Sequence, residues 1–450
     1  MAGIFRAYDI RGIYPDDISE DLVYKIGLAL VKLFPNVERF CVGRDARRSS
    51  PQLFSAMTKA LTDSGKDVVD IGLVSTPMAY FASGRYGFGC TVQITASHNP
   101  KEYNGMKVCR ENAIALSYET GIGEIERLVK EEDLKIPDGL SKGKIEELNI
   151  VKDYVEHILK GNKISRRLKL VLDASNGAVG PVAVEIFRHI DEVELYPLCI
   201  EPDGRFPNHS PDPMKEEAIK MLQDKVRETG ADLGAIFDAD GDRIMFIDEK
   251  GRRIPSDIIT ALIAMEILLD NPGAHIIYDL RSSKVVPEII KENGGVPIIT
   301  RVGHAYIKET MRKYDAPFGG ELSGHYYFKD NYFADSGLMA LIKVLNIVSQ
   351  DQRAVSEIVN SIKRYHATGE VNFRVSDPDA VIERIEKEFS SLGPRQVMHL
   401  DGLTMDFGDW WFNLRKSNTE PLVRLNLEAD TKGLMEEKRK LLEEKIKELR

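Results

Sequence analysis

Cys90-Thr91-Val92-Gln93-Ile94-Thr95-Ala96-Ser97-His98-Asn99-Pro100 is the stretch around which the rest of the sequence is arranged. Its first six residues are typical of a short β-strand, because Thr, Val and Ile fit a pleated surface. Asn99-Pro100 ends the regular structure, since the proline ring removes a backbone donor and restricts the residue before it. The pattern therefore predicts a strand that ends in a tight loop carrying the hydroxyl of Ser97. A serine needs activation to act as a nucleophile or to carry a phosphoryl group, so we expect a metal site, an anion site and a proton carrier elsewhere in the chain.

Length and composition are typical of a globular protein, with 43% hydrophobic and 29% charged residues. The 450 residues exceed what one hydrophobic core usually serves, so about three domains are expected from length alone. The net charge of −10 argues against a nucleic-acid-binding protein, because phosphate backbones attract basic surfaces. Neither a Gly-x-x-x-x-Gly-Lys-Ser/Thr loop nor a strand-linked Gly-x-Gly-x-x-Gly occurs, so neither nucleotide binding nor hydride transfer is indicated.

The cysteines and the apolar segments predict a reduced, cytoplasmic protein. The N-terminal segment lacks a basic start followed by an apolar stretch, so no signal peptide is predicted. The most apolar run, 258–269, is too short to span a bilayer, and no membrane contact is expected. The cysteines are widely spaced and form neither a metal-binding pattern nor a disulfide framework: Cys41, Cys90, Cys109 and Cys199.

Alternating strand and helix patterns divide the chain into four domains. The first three combine strands with amphipathic crossover helices, which is typical of α/β sheets. In the last, strand-like segments that include 397–412 surround a short helix, and a Lys/Glu-rich helix follows. We predict three similar mixed α/β domains and a smaller α+β C-terminal domain around a central cleft, with the boundaries 1–145, 146–250, 251–365 and 366–450. In the first of them, Ser49-Ser50-Pro51 predicts a helix start with a serine cap.

A second polar loop, Asp238-Ala239-Asp240-Gly241-Asp242-Arg243, directly follows an apolar strand. Its three carboxylates alternate along the chain and can converge only around a positive charge, and their hard oxygens are ligands that Mg²⁺ prefers. An EF-hand is disfavoured because Arg243 stands where that loop requires glycine and because 244–247 predicts a strand. An aspartyl-phosphate phosphatase, whose nucleophile lies in a similar loop, remains an alternative.

Two further loops carry groups that bind sugars and anions. Gly320-Glu321-Leu322-Ser323-Gly324-His325 combines a carboxylate, a hydroxyl and an imidazole, which can hydrogen-bond sugar hydroxyls. Arg415-Lys416-Ser417-Asn418-Thr419-Glu420-Pro421 combines two cations with short polar donors, which is favourable for a phosphate dianion. Lys107 follows the Ser97 loop closely enough to act as a proton carrier. For His304, a structural and a functional role are equally open.

The four loops together resemble the signature loops of the α-D-phosphohexomutases, and the sequence is most similar to their phosphomannomutase/phosphoglucomutase branch. Further matches lie at 5–12, at Gly43-Arg44-Asp45 and at Phe206-Pro207-Asn208-His209, so the resemblance covers the whole chain. The resemblance implies an intramolecular phosphotransferase that moves a phosphoryl group between C1 and C6 of mannose or glucose phosphates. It implies a phosphoserine enzyme, a hexose 1,6-bisphosphate that acts as intermediate and activator, and one Mg²⁺ per chain.

The resemblance also implies roles for individual residues. Ser97 matches the phosphoserine and supplies a metal-bound oxygen together with three aspartates: Asp238, Asp240 and Asp242. Lys107 matches the acid/base lysine, and Arg243 faces the serine phosphate, while three residues line the cleft beside them: Arg11, His98 and His304. A larger group matches the substrate-binding positions: Glu321, Ser323, His325, Arg415, Ser417, Asn418, Thr419 and Arg424. Leu322 stands at a position that varies between subfamilies, and Arg281 stands where some relatives have a sugar-contacting lysine.

The sequence therefore predicts an isomerase of carbohydrate metabolism whose partners are small sugar phosphates, as a monomer or homodimer. A phosphoglucosamine or phosphopentose mutase is the alternative within the same mechanism. From other classes, an aspartyl-phosphate phosphatase that uses Asp238 and a non-catalytic sugar-phosphate sensor remain open.

Overall fold

The computed structural model describes residues 3–131, 134–136, 139–417 and 422–448. Within them the chain forms four β-sheets that follow one another in sequence order, and we call each sheet with its helices a unit. No helix in these ranges is both long enough and apolar enough to cross a bilayer. The α/β class predicted from the sequence is confirmed.

The first unit contains a seven-stranded sheet. Its strands are β1 (Ile10–Ile13), β2 (Arg39–Arg44), β3 (Asp67–Leu73), β4 (Cys90–Ile94), β5 (Tyr103–Arg110), β6 (Ile114–Ala115) and β7 (Ile145–Glu147). Its helices are α1 (Glu20–Leu33), α2 (Ser50–Asp63), α3 (Thr76–Tyr86) and α4 (Gly123–Glu131), with single turns of other helix types at Glu111–Ala113 and Tyr118–Ile122.

The start of α2 differs in one detail from the prediction. Pro51 lies in the first turn as expected, but the side chain of Ser49 makes no capping hydrogen bond. The Ser49 hydroxyl instead accepts a hydrogen bond from Asn104 (2.8 Å), and Ser50 donates to Asp45 (2.6 Å). Ser49 is therefore the N-cap residue, as predicted, but its hydroxyl does not cap the helix, because tertiary partners take both hydroxyls.

The second and third units each contain a five-stranded sheet. The second has β8 (Leu168–Asp173), β9 (Val193–Leu198), β10 (Leu233–Phe237), β11 (Ile244–Asp248) and β12 (Arg253–Ile254), with α5 (Val151–Leu159), α6 (Gly180–Phe187) and α7 (Glu216–Thr229). The third has α8 (Ser256–Asp270), β13 (His275–Asp279), α9 (Val285–Glu292), β14 (Val296–Thr300), α10 (His304–Tyr314), β15 (Phe318–Gly320), β16 (Tyr326–Phe328) and β17 (Ala334–Asp335), a turn at Lys329–Asn331, and then α11 (Gly337–Gln350) and α12 (Val355–Ile362).

The fourth unit is an antiparallel sheet with two helices packed on it. Its strands are β18 (His366–Arg374), β19 (Gln396–Met398), β20 (Leu403–Asp406), β21 (Trp410–Lys416) and β22 (Leu422–Ala429), and its helices are α13 (Pro378–Ser390) and α14 (Lys432–Glu448). The strand-like segment predicted at 397–412 is divided between three strands, because Gly402 and Gly408, both at positive φ, turn the chain twice.

The first three units share one strand order. In each, three parallel strands lie in the order second, first, third along the chain, and an antiparallel strand then joins the third: β3-β2-β4-β5, β9-β8-β10-β11 and β14-β13-β15-β16. Two strands lie at or beyond the predicted domain boundaries. Strand β7 runs past residue 145 but pairs with β3 of the first sheet, and β12 lies past residue 250 but pairs with β11 of the second sheet. The boundaries themselves stay predictions.

The hydrophobic cores divide the molecule differently from the sheets. One large cluster of buried side chains runs through the first three units, from Cys41 to Ile362, and the first unit also has a cluster of its own, from Ile10 to Leu128. The fourth unit has a cluster of its own, which extends from Phe373 to Ile446. Polar contacts join the fourth unit to the third: Lys284 donates to Glu428 and Asp406, and the backbone of Val302 donates to Asp401.

Candidate active site

The three polar loops of the first three units occupy one topological position. Each connects the third parallel strand of its sheet to the antiparallel strand that follows: β4 to β5, β10 to β11 and β15 to β16. The fourth predicted loop connects β21 to β22. A shared fold therefore places the Ser97 loop, the acidic loop and the Glu321 loop at equivalent strand ends, where α/β proteins commonly bind ligands.

The hydroxyl of Ser97 lies against the acidic loop of the second unit. It donates to a carboxylate oxygen of Asp238 at 2.8 Å and lies 3.2 Å from Nδ1 of His98. Ser97 is buried and has a φ of 50°, a left-handed conformation that is uncommon outside glycine and that recurs at functional sites. The backbone N–H of Ser97 donates to the hydroxyl of Thr95 at 2.9 Å. The loop thus aims one serine hydroxyl at a carboxylate 141 residues away in sequence.

The three aspartates of the acidic loop are fully buried and lie close together. Asp238, Asp240 and Asp242 each offer one oxygen, and these oxygens all lie within 4.8 Å of one another. Burial raises the pKa of Asp238, and the neighbouring carboxylates raise it further. Among the described residues, Oδ1 of Asp240 has no hydrogen-bond partner, and Oδ1 of Asp242 has only a 3.4 Å contact with Nε2 of His325. Buried carboxylate oxygens at this spacing that lack a close donor fit a hard divalent cation.

Lys107 lies on the same carboxylates. Its ammonium contacts Asp240 at 2.9 Å and also donates to Asp242. Burial alone would lower the pKa of Lys107, but the two carboxylates raise it above its usual range. The lysine is therefore cationic in this arrangement and offsets part of the charge of the acidic loop. Asp240 is further held by the hydroxyl of Thr76, which donates to it at 2.6 Å.

The acidic loop is joined to the Glu321 loop of the third unit. Arg243 and His325 form a backbone bridge, and Nε of Arg243 lies 3.4 Å from Nε2 of His325. The other ring nitrogen of His325 lies 2.9 Å from the hydroxyl of Ser323. Tyr327 donates to Glu321 at 2.9 Å and fixes that buried carboxylate. Burial lowers the pKa of His325, yet Asp242 and Glu321 outweigh it, and the net shift is upward.

Arg281 connects the third unit to the fourth. Its guanidinium pairs with Asp279 at 2.9 Å and with Glu321 at 3.3 Å, and it lies 3.8 Å from Glu370 on β18. Leu322 lines a cavity of about 230 Å³ between the same two units, together with Arg281 and Trp411. The structure thus places Arg281 next to the predicted sugar-binding carboxylate.

Two arginines of the fourth unit face one carboxylate. Arg415 donates to Glu370 at 2.8 Å and Arg424 donates to its other oxygen at 3.0 Å. Arg424 also lies 3.4 Å from the hydroxyl of Ser417. The buried Nε atoms of both arginines have no partner within the described ranges, so each retains a donor for another anion. Asn418 and Thr419 lie outside the described residues.

Arg11 and His304 complete the predicted set. Arg11 donates to Asn99 in the Ser97 loop at 2.5 Å and pairs with Asp9. The buried ring of His304 packs edge-on against Tyr8, with 4.5 Å between the ring centroids. Burial is the main cause that lowers the pKa of His304, which keeps the ring neutral. Neither ring nitrogen has a hydrogen-bond partner in the described part of the chain.

Comparisons with known proteins agree with this geometry. Four phosphoglucomutase/phosphomannomutase family models match in order: α/β/α domain I at residues 2–135, domain II at 152–251, domain III at 255–365 and the C-terminal domain at 370–445. The chain belongs to the phosphoglucomutase/phosphomannomutase family.

Relatives of known name cover nearly the whole chain. A phosphomannomutase of Escherichia coli K12 is 39% identical over 432 residues, which is 94% of each protein. A phosphomannomutase of Methanocaldococcus jannaschii is 40% identical over 97% of this chain and 95% of its own. A solved phosphoglucomutase/phosphomannomutase family protein from Burkholderia thailandensis has a TM-score of 0.90 at 33% identity and covers 99% of this chain and 97% of its own.

Arg47 supports the Ser97 loop, and this role was not predicted from the sequence of this phosphoglucomutase/phosphomannomutase family member. Arg47 is 1% exposed and uses all of its guanidinium donors inside the protein. It donates to the backbone carbonyls of Ser97 (2.6 Å), Asn99 (2.6 Å), Pro100 (2.7 Å) and Tyr103 (2.8 Å) and to the carboxylate of Asp45 (3.1 Å). The sequence feature nearest to Arg47 was the family match at Gly43-Arg44-Asp45, which ends two residues before Arg47.

Proposed function

We propose that this member of the family interconverts the 1- and 6-phosphates of mannose and glucose through a phosphorylated Ser97. A single observation carries the proposal: the Ser97 hydroxyl lies 2.8 Å from the buried carboxylate cluster of the second unit. The family membership supports a hexose-phosphate mutase, and the names of its relatives favour mannose phosphate as a substrate.

The proposed reaction consists of two phosphoryl transfers in opposite directions. In the first, a sugar hydroxyl oxygen forms a bond to the phosphorus on Ser97, the bond from phosphorus to Oγ breaks, and the hydroxyl proton leaves to a base. The product is a hexose 1,6-bisphosphate. In the second, Oγ of Ser97 attacks the other phosphate of that bisphosphate, and the sugar oxygen that is released takes up a proton. Because phosphoryl transfer needs little covalent participation by the protein, positioning and charge neutralisation carry the catalysis.

The acidic loop is the proposed metal site. Asp238, Asp240 and Asp242 would hold one Mg²⁺, because their hard, buried oxygens lie close together and Oδ1 of Asp240 has no hydrogen-bond partner in the described part of the chain. When bound, the ion supplies positive charge next to the transferred phosphoryl group. The same charge offsets the carboxylates that otherwise keep Lys107 protonated. Arg243 ends the same loop, its backbone N–H donates to Asp238 at 3.2 Å, and its partly buried guanidinium, which faces Asp238 and Asp242, would add a second positive charge. Lys107 is then the proposed base in the first transfer and the acid in the second.

The remaining site residues are proposed to bind the parts of the substrate that do not react. Glu321 and Ser323 accept or donate hydrogen bonds to sugar hydroxyls, with His325 and His304 beside them. The non-reacting phosphate is bound by the fourth unit through Arg415, Ser417 and Arg424, together with Asn418 and Thr419. This division lets the same phosphate site hold either end of the bisphosphate when the intermediate turns around between the two transfers.

Glu370 occupies the position that the proposal gives to the non-reacting phosphate, because it binds both Arg415 and Arg424. We expect Glu370→Gln to bind hexose 6-phosphate about tenfold more tightly, which corresponds to about 1.4 kcal/mol. The physical reason is that a neutral amide neither competes for the two guanidinium groups nor repels a dianion. Calorimetric titration with mannose 6-phosphate measures the change.

Glu386→Gln is the control for this prediction, because Glu386 lies in the same unit and pairs with the exposed His399 instead. It should leave the affinity unchanged. Weaker binding by Glu370→Gln would show that Glu370 orients the arginines and does not compete with phosphate.

A side-by-side assay tests the proposed substrate class. Mannose, glucose, glucosamine and ribose 1-phosphates are supplied with Mg²⁺ and a catalytic amount of the matching bisphosphate, and formation of the 6-phosphate (the 5-phosphate for ribose) is measured. We expect kcat/KM to be highest for the mannose and glucose phosphates. A higher value for glucosamine or ribose phosphate would move the assignment to that mutase, and release of inorganic phosphate as the main product would indicate a phosphatase.

A further inference from the structure

A second cluster of metal-binding side chains lies in the second unit, apart from the three aspartates of the acidic loop. Asp173 is the last residue of β8, Cys199 directly follows β9, and His209 lies in the loop before α7. One ligand atom from each lies within 4.8 Å of the others. Asp173 is fully buried, the His209 side chain is 5% exposed, and Cys199 is partly exposed.

The hydrogen bonds of His209 show that its Nε2 faces negative groups. Nδ1 lies 2.9 Å from the backbone carbonyl of Ser210, which can only accept a hydrogen bond, so Nδ1 carries a proton. Nε2 lies 3.1 Å from the carboxylate of Asp173, which also only accepts. A neutral ring with its proton on Nδ1 would point a lone pair at this carboxylate. A proton or a metal ion must therefore lie between Nε2 and this carboxylate.

Cys199 distinguishes this cluster from an ordinary imidazolium–carboxylate pair. A proton shared between Asp173 and His209 needs no sulfur atom, yet the Cys199 thiol completes the group and its residue has a φ of 48°. The sulfur of Met221 lies 3.8 Å from that thiol and adds a second soft atom to the surroundings. A carboxylate, an imidazole and a thiolate together form a donor set typical of Zn²⁺. A histidine that binds a metal through one ring nitrogen is usually oriented by a hydrogen bond from its other ring nitrogen to a carbonyl oxygen, as Nδ1 of His209 is here.

The distances agree with this donor set. Zn²⁺ binds nitrogen and carboxylate oxygen at about 2.0–2.2 Å, so two such ligands of a tetrahedral ion lie about 3.3 Å apart. The distance observed between Nε2 of His209 and the Asp173 oxygen is 3.1 Å. The Asp173 oxygen and Nε2 of His209 therefore already lie about as far apart as two ligands of one tetrahedral ion.

We propose that Asp173, Cys199 and His209 bind one Zn²⁺-class divalent cation, with water as the fourth ligand. Binding displaces the proton on Nε2 of His209 and the proton of the Cys199 thiol, so two protons leave as the ion enters. The ion would connect β8, β9 and the loop before α7. It would also support the acidic loop, because the N–H of Ser175 donates to Asp173 (2.8 Å) and its hydroxyl donates to Phe237 (2.5 Å), the residue before Asp238.

Cobalt substitution tests the proposal without use of the catalytic activity. The full-length protein is stripped with chelator under reducing conditions and titrated with Co²⁺, and the sulfur-to-cobalt charge-transfer absorption is recorded. The three aspartates of the acidic loop contain no sulfur, and the other three cysteines are buried and belong to no cluster of three metal-binding groups among the described residues, so this absorption reports on Cys199. We expect the absorption to correspond to one thiolate-bound Co²⁺ per chain, and excess Zn²⁺ to abolish it.

Two variants separate the outcomes. Cys199→Ser should lose the absorption and one equivalent of bound Zn²⁺, while Asp240→Asn should keep the absorption because it alters only the acidic loop. Absence of the absorption in the unmodified protein would overturn the proposal and leave His209 as an imidazolium paired with Asp173. An absorption that persists in Cys199→Ser would overturn it as well, because another cysteine would then be the ligand.

Discussion

Ser97→Ala is expected to lower the mutase turnover by at least about 1,000-fold, since the proposed phosphoryl acceptor is removed. The substitution should leave the fold intact. Arg47 holds the loop through the backbone carbonyl of Ser97, which alanine retains, and alanine places the same Cβ as serine at a φ of 50°, so it adds no atom to the loop. Hexose 6-phosphate binding should remain detectable by calorimetry, because the arginines of the fourth unit are untouched.

Phosphopeptide mapping of the purified protein accompanies this test. Acid-stable phosphate on the Ser97 peptide supports the proposed mechanism, whereas acid-labile phosphate on the Asp238 peptide would support a phosphatase. Ser361→Ala is the matched control, because this exposed hydroxyl on α12 bonds only to the carbonyl of Ile358 among the described contacts. Full turnover by Ser97→Ala would refute the proposed function.

Arg47→Lys is expected to destabilise the first unit and to slow the reaction, although it conserves the charge. A lysine ammonium has three donors on one atom, whereas the Arg47 guanidinium serves five acceptors, so at least two acceptors lose their partner. Each buried acceptor left without a partner costs about 1–3 kcal/mol. We expect a Tm lower by about 5 °C or more. A displacement of the Ser97 loop by about 1 Å would lower kcat about 100-fold.

Thermal unfolding and steady-state kinetics measure both effects. Arg48→Lys is the matched control, because Arg48 is the next residue and its side chain is exposed. It should change neither Tm nor kcat. A Tm and a kcat of Arg47→Lys equal to those of the unmodified protein would show that the loop keeps its shape without the guanidinium.

Much of the local structure could be predicted from the sequence because the deciding signals are short in range. Strand β10, the acidic loop and strand β11 follow from an apolar run, three alternating aspartates and a second apolar run. The loops that carry Ser97, Asp238 and Glu321 were each identified by their polar residues between such runs. Three similar α/β domains were predicted, but the strand order that makes these loops equivalent was not, since strand order depends on pairing between distant segments.

The supporting residues of the site were missed for the same reason. Arg47 looks like a surface cation in sequence, and only the fold shows that four carbonyls converge on it. Glu370 lies in a strand with exposed neighbours, and its role depends on two arginines 45 and 54 residues away. Side chains that act by holding other residues carry no local pattern, because their partners are brought to them by the tertiary structure.

The separate hydrophobic core of the fourth unit has a mechanical consequence. Because one cluster of buried apolar side chains extends across all of the other three units, a tilt of any of them would expose part of it to water. A rotation of the fourth unit would leave its own cluster intact and would exchange the polar bonds at Lys284 and Val302 for bonds to water. Such a rotation would pivot where α12 ends and β18 begins, which is the point at which the chain enters the fourth unit.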